Sequence, residues 1–379
     1  MNEGLQSTGT TIVAVDAVCA SFPLERPLQL GGLRIDAREF VFVTVETEDG
    51  HRGSAFALSR ELPVAEVVRR NLAPLLIGSD GDAIEACVDR CMCATPAPAR
   101  PGIWMRALSL LEIALWDVRG KRLGTPVWRL LGGHEPTVAV QLVAGYLTEG
   151  SDPRVLGERI GELSSEGFGI IKLARAKTPR LTRELLHASR NAIAPGTALV
   201  VDAAWCWRTV DEARTEIATW DAGDLAWLED PLDPSAATAC RRLRQTTGIR
   251  LGIGDEVTDS HVLLALLEVD AVDVLRADAT ALGGITALRH VCAHAATRGV
   301  PVSLHAYAEV HLHCAAAWPG TLGVEVFEPD SAVYPVSQFV HDMPRVTGGR
   351  MTAPETPGLG VSLDWERIDH YTVQPRGPR

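Results

Sequence analysis

The sequence predicts an α/β protein in which a closed (β/α) barrel follows an N-terminal α+β segment. From residue 137 onward, short apolar runs alternate with stretches that each hold one helix. Runs without polar–apolar alternation are typical of parallel strands buried on both faces. The alternative, an open doubly wound sheet, lacks its glycine-rich GxGxxG turn after the first strand. The eight runs are VAVQLVAG, GIIKLA, ALVVDA, LAWLED, RLGIGDE, VDVLRAD, PVSLH and LGVEVFE.

The segment before the barrel is predicted to contain strands followed by helices. Two runs rich in β-branched and aromatic residues, TIVAVDAVCA and EFVFVTVETEDG, predict strands, and the second ends at the turn sequence Asp49-Gly50. Helices are expected over residues 64–93 and 105–122, and in the second of these apolar residues recur close to every 3.6 positions. Gly124-Thr125-Pro126 is expected to end the second helix.

Composition restricts the class of protein. The 379 residues are 46% hydrophobic and 22% charged, which is typical of a globular chain with one large domain or two. A formal net charge of −12 argues against nucleic acid or an anionic membrane as a partner. No apolar run approaches the ~18 residues of a membrane helix, and the first residues lack a signal-peptide pattern. Eight scattered cysteines are typical of reduced thiols, so we expect a cytoplasmic protein.

A polar or charged residue stands at or near the end of seven of the eight runs. Neighbouring members are 20 to 30 residues apart, about one βα unit per step. In a (β/α) barrel the C-terminal strand ends form one ring, where the active site lies. One such residue often only caps the following helix, but seven in succession favour a shared site. The seven are Lys172, Asp202, Glu229, Asp255, Asp278, His305 and Glu325.

The first four members of this ring predict a metal centre. Asp202, Glu229 and Asp255 would lie on adjacent strands and repel one another unless a hard cation neutralised them. Oxygen ligands without Cys or His favour Mg²⁺. A divalent cation can stabilise the enediolate formed when a proton is removed α to a carboxylate. Lys172 is expected to add a second positive charge for the same oxyanion.

The ring also contains a proton carrier. His305 is the natural group to remove the α-proton, and Asp278 is expected to orient its ring and raise its basicity. The predicted site therefore belongs to an enzyme that abstracts a proton next to a carboxylate.

Several motifs resemble those of the enolase superfamily, and within it the mandelate racemase subgroup. Val201-Asp202, Trp227-Leu228-Glu229-Asp230-Pro231 and Gly254-Asp255-Glu256 are similar to the three metal-ligand motifs of that family. Asp278 followed by Gly283-Gly284, and then Pro301-Val302-Ser303-Leu304-His305, resembles the subgroup's His–Asp dyad. Residues 106–133 are similar to the helix that joins cap and barrel, and the resemblance covers nearly the whole chain.

This resemblance implies a modified TIM barrel, (β/α)₇β, with an N-terminal α+β capping domain. We expect the cap at residues 1–133, the barrel at 134–350, and a C-terminal segment at 351–379 that packs back on the cap. The resemblance further implies that Glu325 hydrogen-bonds the substrate carboxylate and that the protein is a homo-oligomer. Residues 21–27 are expected to form a cap loop whose polar side chains are Glu25 and Arg26.

One departure from the subgroup decides the predicted mechanism. The second barrel strand commonly carries Lys-x-Lys, whereas this chain has Lys172-Leu173-Ala174. Arg175 should face the other way because strand side chains alternate, and Lys177 is expected in the loop. Racemisation needs a proton carrier on each face of the enediolate, but syn elimination needs only one. We therefore predict a lyase of the hydro-lyase type that dehydrates an acid sugar to a 2-keto-3-deoxy acid by a one-base His–Asp mechanism.

Two alternatives remain open at this stage. One is a racemase or epimerase of a 2-hydroxy or related carboxylic acid, with another residue replacing the missing lysine. The other is a non-catalytic barrel that binds Mg²⁺ and an acid ligand. In every case the expected partner is a small-molecule carboxylate. Asp230 and Glu256 are expected to support the site with side chains turned away from it, and His313 to pack on a helix face.

Overall fold

The chain begins with a three-stranded antiparallel sheet. The computed structural model describes residues 9–30, 33–147, 150–220, 224–328, 331 and 333–373. Strand β1 (Ile12–Leu30) pairs with β2 (Leu33–Thr47), and β2 pairs with β3 (Arg52–Leu58). The third strand, β3, was not predicted from the sequence.

The predicted cap loop at residues 21–27 is wrong, because these residues belong to β1. Ser21 to Pro23 pair with residues 37–39, and the register shifts before pairing resumes at Leu28. Phe22 is fully buried, so its side chain holds the strand against the core. The side chains of Glu25 and Arg26 lie outside the described residues.

Helices of the cap follow the sheet. The predicted helix at 64–93 is divided at Gly78, whose φ of +84° is unfavourable for other residues. A π-helical turn, Val68–Leu72, joins the first two short helices. The cap helices are α1 (Val64–Val67), α2 (Ala73–Leu76), α3 (Ile84–Cys93), α4 (Ile103–Arg122) and α5 (Val127–Leu130).

Eight parallel strands form a closed barrel. Each strand pairs with the next along the chain, and the last pairs with the first through Val324 and Val140. All eight strands coincide with the runs predicted from the sequence. The barrel strands are β4 (Thr137–Gly145), β5 (Ile170–Ala174), β6 (Ala198–Asp202), β7 (Trp227–Glu229), β8 (Leu251–Ile253), β9 (Val274–Ala277), β10 (Val302–Leu304) and β11 (Thr321–Phe327).

Helical connections separate these strands. Asp152, Thr178, Thr209 and Asp259 accept hydrogen bonds from backbone N–H groups of the first turns and so start four of the helices. Seven connections contain helices within the described residues, which gives the predicted (β/α)₇β arrangement. The helices are α6 (Pro153–Ser164), α7 (Pro179–Ala192), α8 (Val210–Ile217), α9 (Ala237–Thr247), α10 (Ser260–Glu268), α11 (Ala279–Leu282), α12 (Gly284–Thr297) and α13 (Ala308–Ala317).

The chain after the barrel contacts both the barrel and the N-terminal sheet. Strand β13 (Arg350–Thr352) pairs antiparallel with β4, while β12 (Val340–His341) pairs with β14 (Ser362–Leu363). Helix α14 (Trp365–His370) follows. The Phe339 ring centroid lies 4.7 Å from that of Phe22 and 5.0 Å from that of Phe42. These fully buried rings form an aromatic core between the sheet and the C-terminal residues.

Helix α4 ties the cap to the barrel through a buried glutamate. Glu112 accepts hydrogen bonds from the N–H groups of Ile285 and Thr286 at 2.8 and 3.0 Å, so it caps α12. A Cβ at Gly284 would lie 2.1 Å from Glu112 Oε2, which explains why glycine stands there. Among the described residues, no helix is long and apolar enough to cross a bilayer.

Candidate active site

The seven predicted residues meet at the C-terminal end of the barrel. Lys172, Asp202, Glu229 and Glu325 lie on barrel strands, and the other three follow the ends of β8, β9 and β10 directly or within two residues. Lys172 lies within 4.0 Å of carboxylate oxygens of four of the others, and His305 contacts one of these four, Asp255. The seventh residue, Asp278, contacts His305.

Three carboxylates form a compact cluster. Asp202, Glu229 and Asp255 each offer one oxygen, and these oxygens lie within 4.8 Å of one another. Burial raises the pKa of Asp202, and burial raises that of Glu229 to about 8 even though Arg276 and Lys172 act against the shift. Repulsion from Asp255 adds to both shifts. Separate ligand atoms at this spacing suit a cation that prefers oxygen.

Lys172 lies among the acidic residues. Its Nζ is 2.6 Å from Glu229 Oε1 and 2.7 Å from Glu325 Oε1, and it is 4.0 Å from oxygens of both Asp202 and Asp255. Burial alone would lower the pKa of the Lys172 amine, but these carboxylates outweigh burial and hold it well above its usual value. The side chain therefore remains a cation.

A second cation, Arg276, was not predicted. It stands on β9, is fully buried, and its Nε lies 2.7 Å from Asp255 Oδ1 and 3.2 Å from Glu229 Oε2. Its Nη2 lies 2.8 Å from Glu325 Oε1. An arginine in the middle of the buried run VDVLRAD could have indicated a buried ion pair, because Arg is almost never fully buried unless it is paired.

The charges of this cluster fit a divalent cation. Four carboxylates, those of Asp202, Glu229, Asp255 and Glu325, face two cationic side chains, which leaves two negative charges when all are ionised. The donor atoms of the first three are all oxygens. A hard dication would balance this charge, so the residues present fit Mg²⁺.

His305 and Asp278 form a pair beside the cluster. His305 Nδ1 lies 3.2 Å from Asp278 Oδ2, and its Nε2 lies 3.8 Å from Asp255 Oδ2. The other Asp278 oxygen accepts hydrogen bonds from the backbone N–H and hydroxyl of Thr280, both at 2.7 Å. Burial opposes ionisation of both groups, but nearby charges prevail. Asp255, followed by Asp278, raises the pKa of His305, and His305 in turn lowers the pKa of Asp278. Nε2 is thus the ring nitrogen that faces the site.

Glu325 is held on two sides. Its Oε2 accepts a hydrogen bond from the backbone N–H of Ala306 at 3.0 Å, and its Oε1 faces Lys172 and Arg276. Burial alone would raise the pKa of Glu325, but Arg276 and Lys172 outweigh burial and lower it below its usual value. Glu325 is therefore ionised and fixed beside the loop that carries His305.

Left-handed backbone follows the site residues. The φ angles are +40° at Asp230, +55° at Glu256, and +45° and +44° at Ala306 and Tyr307, and Ala204 and Trp205 are also positive. Non-glycine residues adopt such angles rarely, and they cluster at functional sites. Such angles mark the loops that follow β6, β7, β8 and β10.

Asp230 and Glu256 support the site, although both lie in left-handed turns beyond the ends of β7 and β8 and not in the strands whose alternation suggested this role. Asp230 accepts hydrogen bonds from the N–H groups of Gly254 and Asp255 at 2.9 and 3.2 Å, which positions the Asp255 loop. Glu256 accepts a hydrogen bond from Arg106 at 2.7 Å and pairs with Arg60, both on the cap. One residue thus orients a cluster member and the other joins barrel to cap.

Two buried histidines are not among the seven predicted site residues. His313 Nδ1 accepts a hydrogen bond from the N–H of Trp128 at 3.1 Å, and its Nε2 donates to the carbonyl of Leu359 at 2.9 Å. His313 is therefore buried, as the predicted packing role requires, and it also forms two hydrogen bonds. His311, which the sequence patterns did not single out, bonds to Ala279 N and Ala306 O and so links the loops that carry Asp278 and His305.

The second barrel strand provides no further proton carrier. Ala174 pairs with Asp202 in the register of β5 and β6. Arg175 turns outward, with Nε 2.8 Å from Glu216 Oε1, and Lys177 is an exposed residue beyond the strand. At its last position this strand therefore presents only a methyl group.

A capped (β/α)₇β barrel with clustered carboxylates at its strand ends is the architecture of the enolase superfamily. The family model for the N-terminal domain of mandelate racemase and muconate lactonizing enzymes matches residues 12–132, and the model for enolase C-terminal domain-like proteins matches residues 156–367. The chain belongs to this superfamily, and within it to the mandelate racemase subgroup.

Relatives of known activity cover most of the chain. The L-talarate/galactarate dehydratase of Salmonella typhimurium is 28% identical over 94% of this chain and 90% of its own. The 3,6-anhydro-alpha-L-galactonate cycloisomerase of Streptomyces coelicolor is 27% identical over 88% of this chain and 92% of its own. The crystal structure of L-talarate dehydratase from Polaromonas sp. JS666, complexed with Mg and L-glucarate, is 25% identical with a TM-score of 0.84 and covers 96% of this chain and 98% of that one.

Proposed function

We propose that this protein is a Mg²⁺-dependent lyase that dehydrates an acid sugar to a 2-keto-3-deoxy acid. One observation carries the proposal: the His305–Asp278 pair faces the carboxylate cluster, while Ala174 leaves β5 without a second proton carrier. The dehydratases among its relatives support the reaction class.

The proposed metal ligands are Asp202, Glu229 and Asp255. Their oxygen donors and the two unbalanced negative charges support Mg²⁺, and magnesium is present in crystal structures of similar proteins. When bound there, the cation would stabilise negative charge that develops on the substrate carboxylate.

Four further residues would handle the substrate. Lys172 is placed to stabilise a carboxylate oxygen as negative charge grows on it, and Glu325 would hold the other oxygen when that oxygen carries a proton. His305 Nε2 would remove the proton from the carbon next to the carboxylate. Asp278 would keep Nδ1 protonated and stabilise the imidazolium.

The same imidazolium would complete the elimination. It returns its proton to the hydroxyl on the neighbouring carbon as that C–O bond breaks, and water leaves. The electron pair of the C–H bond forms the new double bond, so the first product is an enol, which becomes the 2-keto-3-deoxy acid. No second carrier is required, which is consistent with Ala174.

The second candidate is an isomerase. A cycloisomerase among the relatives favours it, because breaking a C–O bond within a ring also needs only one base next to the carboxylate. Racemisation or epimerisation would need a proton on the opposite face. A non-catalytic barrel that binds Mg²⁺ and an acid ligand is the third candidate.

A screen of acid sugars tests the proposal. The Mg²⁺-loaded protein is incubated with a set of aldonic, aldaric and anhydro sugar acids, and 2-keto acids are detected as semicarbazones. We expect one or a few acids to give a 2-keto-3-deoxy product with loss of one water. Isomeric products of unchanged mass would favour the isomerase, and binding without any turnover would favour the non-catalytic barrel.

Assembly and location are further parts of the proposal. The ligand class is a small carboxylate, as for the relatives. We propose a homo-oligomer in the cytoplasm, on the resemblance to the subgroup and the cysteine usage respectively. Light scattering of the purified protein tests the first, and cell fractionation tests the second.

A further inference from the structure

The cap contributes a buried arginine that has no anionic partner among the described residues. Arg38 lies on β2 and is 8% exposed. Its Nε donates a hydrogen bond to the carbonyl of Val333 at 2.9 Å. Within the described residues, no carboxylate pairs with its guanidinium and no aromatic ring stacks on it. The two terminal nitrogens are therefore left to bind something else.

Other buried cations near the site are paired. Arg276 contacts Asp255, Glu229 and Glu325, and Arg106 contacts Glu256. Burial lowers the pKa of Arg38, and repulsion by Arg60 lowers it further. A charged group without a partner is costly to bury, so an ion supplied from outside the chain would remove this cost.

Aromatic side chains connect Arg38 with the reacting group. The ring of Tyr334, next to Val333, lies 6.0 Å from that of Tyr307, and the Tyr307 ring lies 6.1 Å from that of His305. Tyr146 lies within electrostatic range of Arg38 in the cap and of Lys172 in the barrel. Arg38 is thus within electrostatic range of Tyr146 and Tyr307, and these two side chains interact with Lys172 and His305 of the site.

Several side chains near this arginine are apolar, and Leu24, Ile35, Tyr146, Phe327 and Val333 pack together as a small cluster. Arg60, Tyr146, Tyr307 and Tyr334 also lie within electrostatic range of Arg38. Because Arg60 is already paired with Glu256, Arg38 is the arginine among these described residues that remains available for an anion. Its planar guanidinium matches the two oxygens of a carboxylate.

We propose that Arg38 binds a second carboxylate at the far end of the substrate, so the acid sugars dehydrated are aldaric acids, which carry a carboxylate at each end. This inference rests on the proposed function. The near carboxylate would meet Lys172 and the metal cluster, and the far carboxylate would form two parallel hydrogen bonds with Arg38. An aldonic acid of the same configuration has an uncharged CH₂OH group at that end and would leave Arg38 unpaired.

Binding to an inactive variant tests this assignment. Galactarate and galactonate, and glucarate and gluconate, are titrated calorimetrically into Mg²⁺-loaded His305→Asn protein. We expect at least one aldarate to bind about 30-fold or more tightly than its aldonate. Adding Arg38→Gln should remove that preference and leave aldonate binding unchanged. Adding Arg38→Lys should restore part of it, because the charge remains while the paired hydrogen bonds are lost.

Arg34→Gln is the matched control. Arg34 lies on the same strand but is exposed and pairs with Asp36, so its substitution should leave the preference intact. Near-UV circular dichroism shows whether each variant keeps its tertiary structure. If Arg38→Gln does not fold, the Arg38→Lys comparison and the aldarate-to-aldonate ratio of the parent protein still decide the question.

The outcomes separate this inference from the proposed function. Equal affinity for both acids, or a preference that survives Arg38→Gln, would overturn the role of Arg38. Tighter binding of a 6-phosphoaldonate than of any aldarate would overturn the carboxylate assignment. Turnover of aldonates alone would leave the proposed dehydratase intact and refute the inference. An Arg38-dependent preference without any turnover by the unmodified protein would support the inference and refute the dehydratase.

Discussion

Single residues in this site have roles set by their neighbours. Asp202, Glu229 and Asp255 carry like charges in a buried cluster, and Lys172 and Arg276 balance only part of that charge. Such a cluster is best stabilised by a cation that binds several oxygens at once. Removing one ligand should therefore affect metal binding more than folding.

The metal assignment is tested at Glu229. We expect Glu229→Gln to weaken Mg²⁺ binding by more than about 100-fold, the upper range for outer-shell partners of a metal, and to abolish turnover. Calorimetry measures the first and the 2-keto acid assay the second. EDTA should abolish activity of the unmodified protein, and Mg²⁺ should restore it.

Asp233→Asn is the control for this prediction. Asp233 is an exposed carboxylate four residues from Glu229 that accepts hydrogen bonds from Ser235. Its substitution should leave Mg²⁺ affinity and turnover close to those of the unmodified protein. Full activity of metal-free protein would refute the assignment.

The His–Asp pair is tested separately. His305→Asn should reduce kcat by at least about 10²–10⁴-fold, the usual contribution of general acid–base catalysis. Asp278→Asn should keep the fold but reduce kcat, because the amide cannot stabilise the imidazolium and can favour the wrong tautomer. Steady-state kinetics with matched circular dichroism spectra measure both effects. An active His305→Asn protein would mean that another group transfers the proton.

At the scale of elements, seven of the eight barrel strands place one functional side chain at or near their C-terminal ends, and several of them are followed by a left-handed turn. The left-handed residues Asp230, Glu256 and Ala306 perform this turn after β7, β8 and β10. The same geometry explains why Asp230 and Glu256 pair outside the cluster. Strand β5 differs because it ends in Ala174 and then Arg175, which is bound to Glu216.

The end of β5 predicts proton exchange on one face only. In D₂O, turnover should place solvent deuterium at the β-carbon of the product, when the enol becomes the ketone. A substrate analogue that lacks the β-hydroxyl should exchange its α-proton with retention of configuration. NMR of the recovered acid measures both results.

The decisive comparison for β5 uses the unmodified protein. If it interconverts the two α-epimers of any acid at a rate comparable with dehydration, the one-base mechanism is wrong and an epimerase replaces it. Ala174→Lys is an informative addition where it folds, since it would place an amine opposite His305 and introduce slow racemisation of the analogue.

At the scale of the whole molecule, distant parts of the chain are held together by buried polar groups. His313 on α13 joins Trp128 of α5 to Leu359 near the C-terminus. Asp117 on α4 accepts hydrogen bonds from Ser54 of the sheet and from Leu359, both at 2.8 Å. These contacts fix the cap, the barrel and the C-terminal residues relative to one another.

His313 predicts a loss of stability in acid. Burial lowers its pKa to about 4, below the ~6.5 of an unfolded histidine, so the folded protein holds it neutral. Its contribution is complete above pH ~6.5 and is lost as the pH falls from there towards 4, because the unfolded chain binds the proton first. The shift corresponds to roughly 3 kcal/mol. Chemical denaturation at several pH values measures it.

The variant His313→Gln isolates this effect. It should be less stable at neutral pH by about 1–3 kcal/mol and have a flatter pH profile between pH ~6.5 and 4. His187→Gln changes an exposed histidine and should give a profile parallel to that of the unmodified protein. Parallel profiles for His313→Gln would contradict the assignment.

The sequence by itself determined the barrel and the residues around its mouth. Eight apolar runs of strand length define the strands, and in a parallel barrel all C-terminal ends share one edge, so Lys172, Asp202 and Glu229 had to meet. The absence of a second proton carrier at Ala174 could also be predicted, because the alternation of side chains along a strand follows from local geometry.

Only the tertiary structure decided how the charges are paired. Arg276 contacts Asp255 across neighbouring strands, Glu112 caps a helix that starts 172 residues further along the chain, and Arg38 on β2 donates a hydrogen bond to the carbonyl of Val333. Residues 21–27 were expected to form a cap loop, yet they belong to β1, where Phe22 is buried against Phe339. Burial and pairing depend on contacts between residues far apart in sequence, and no local pattern records which distant residue will neutralise a charge or cover an aromatic ring.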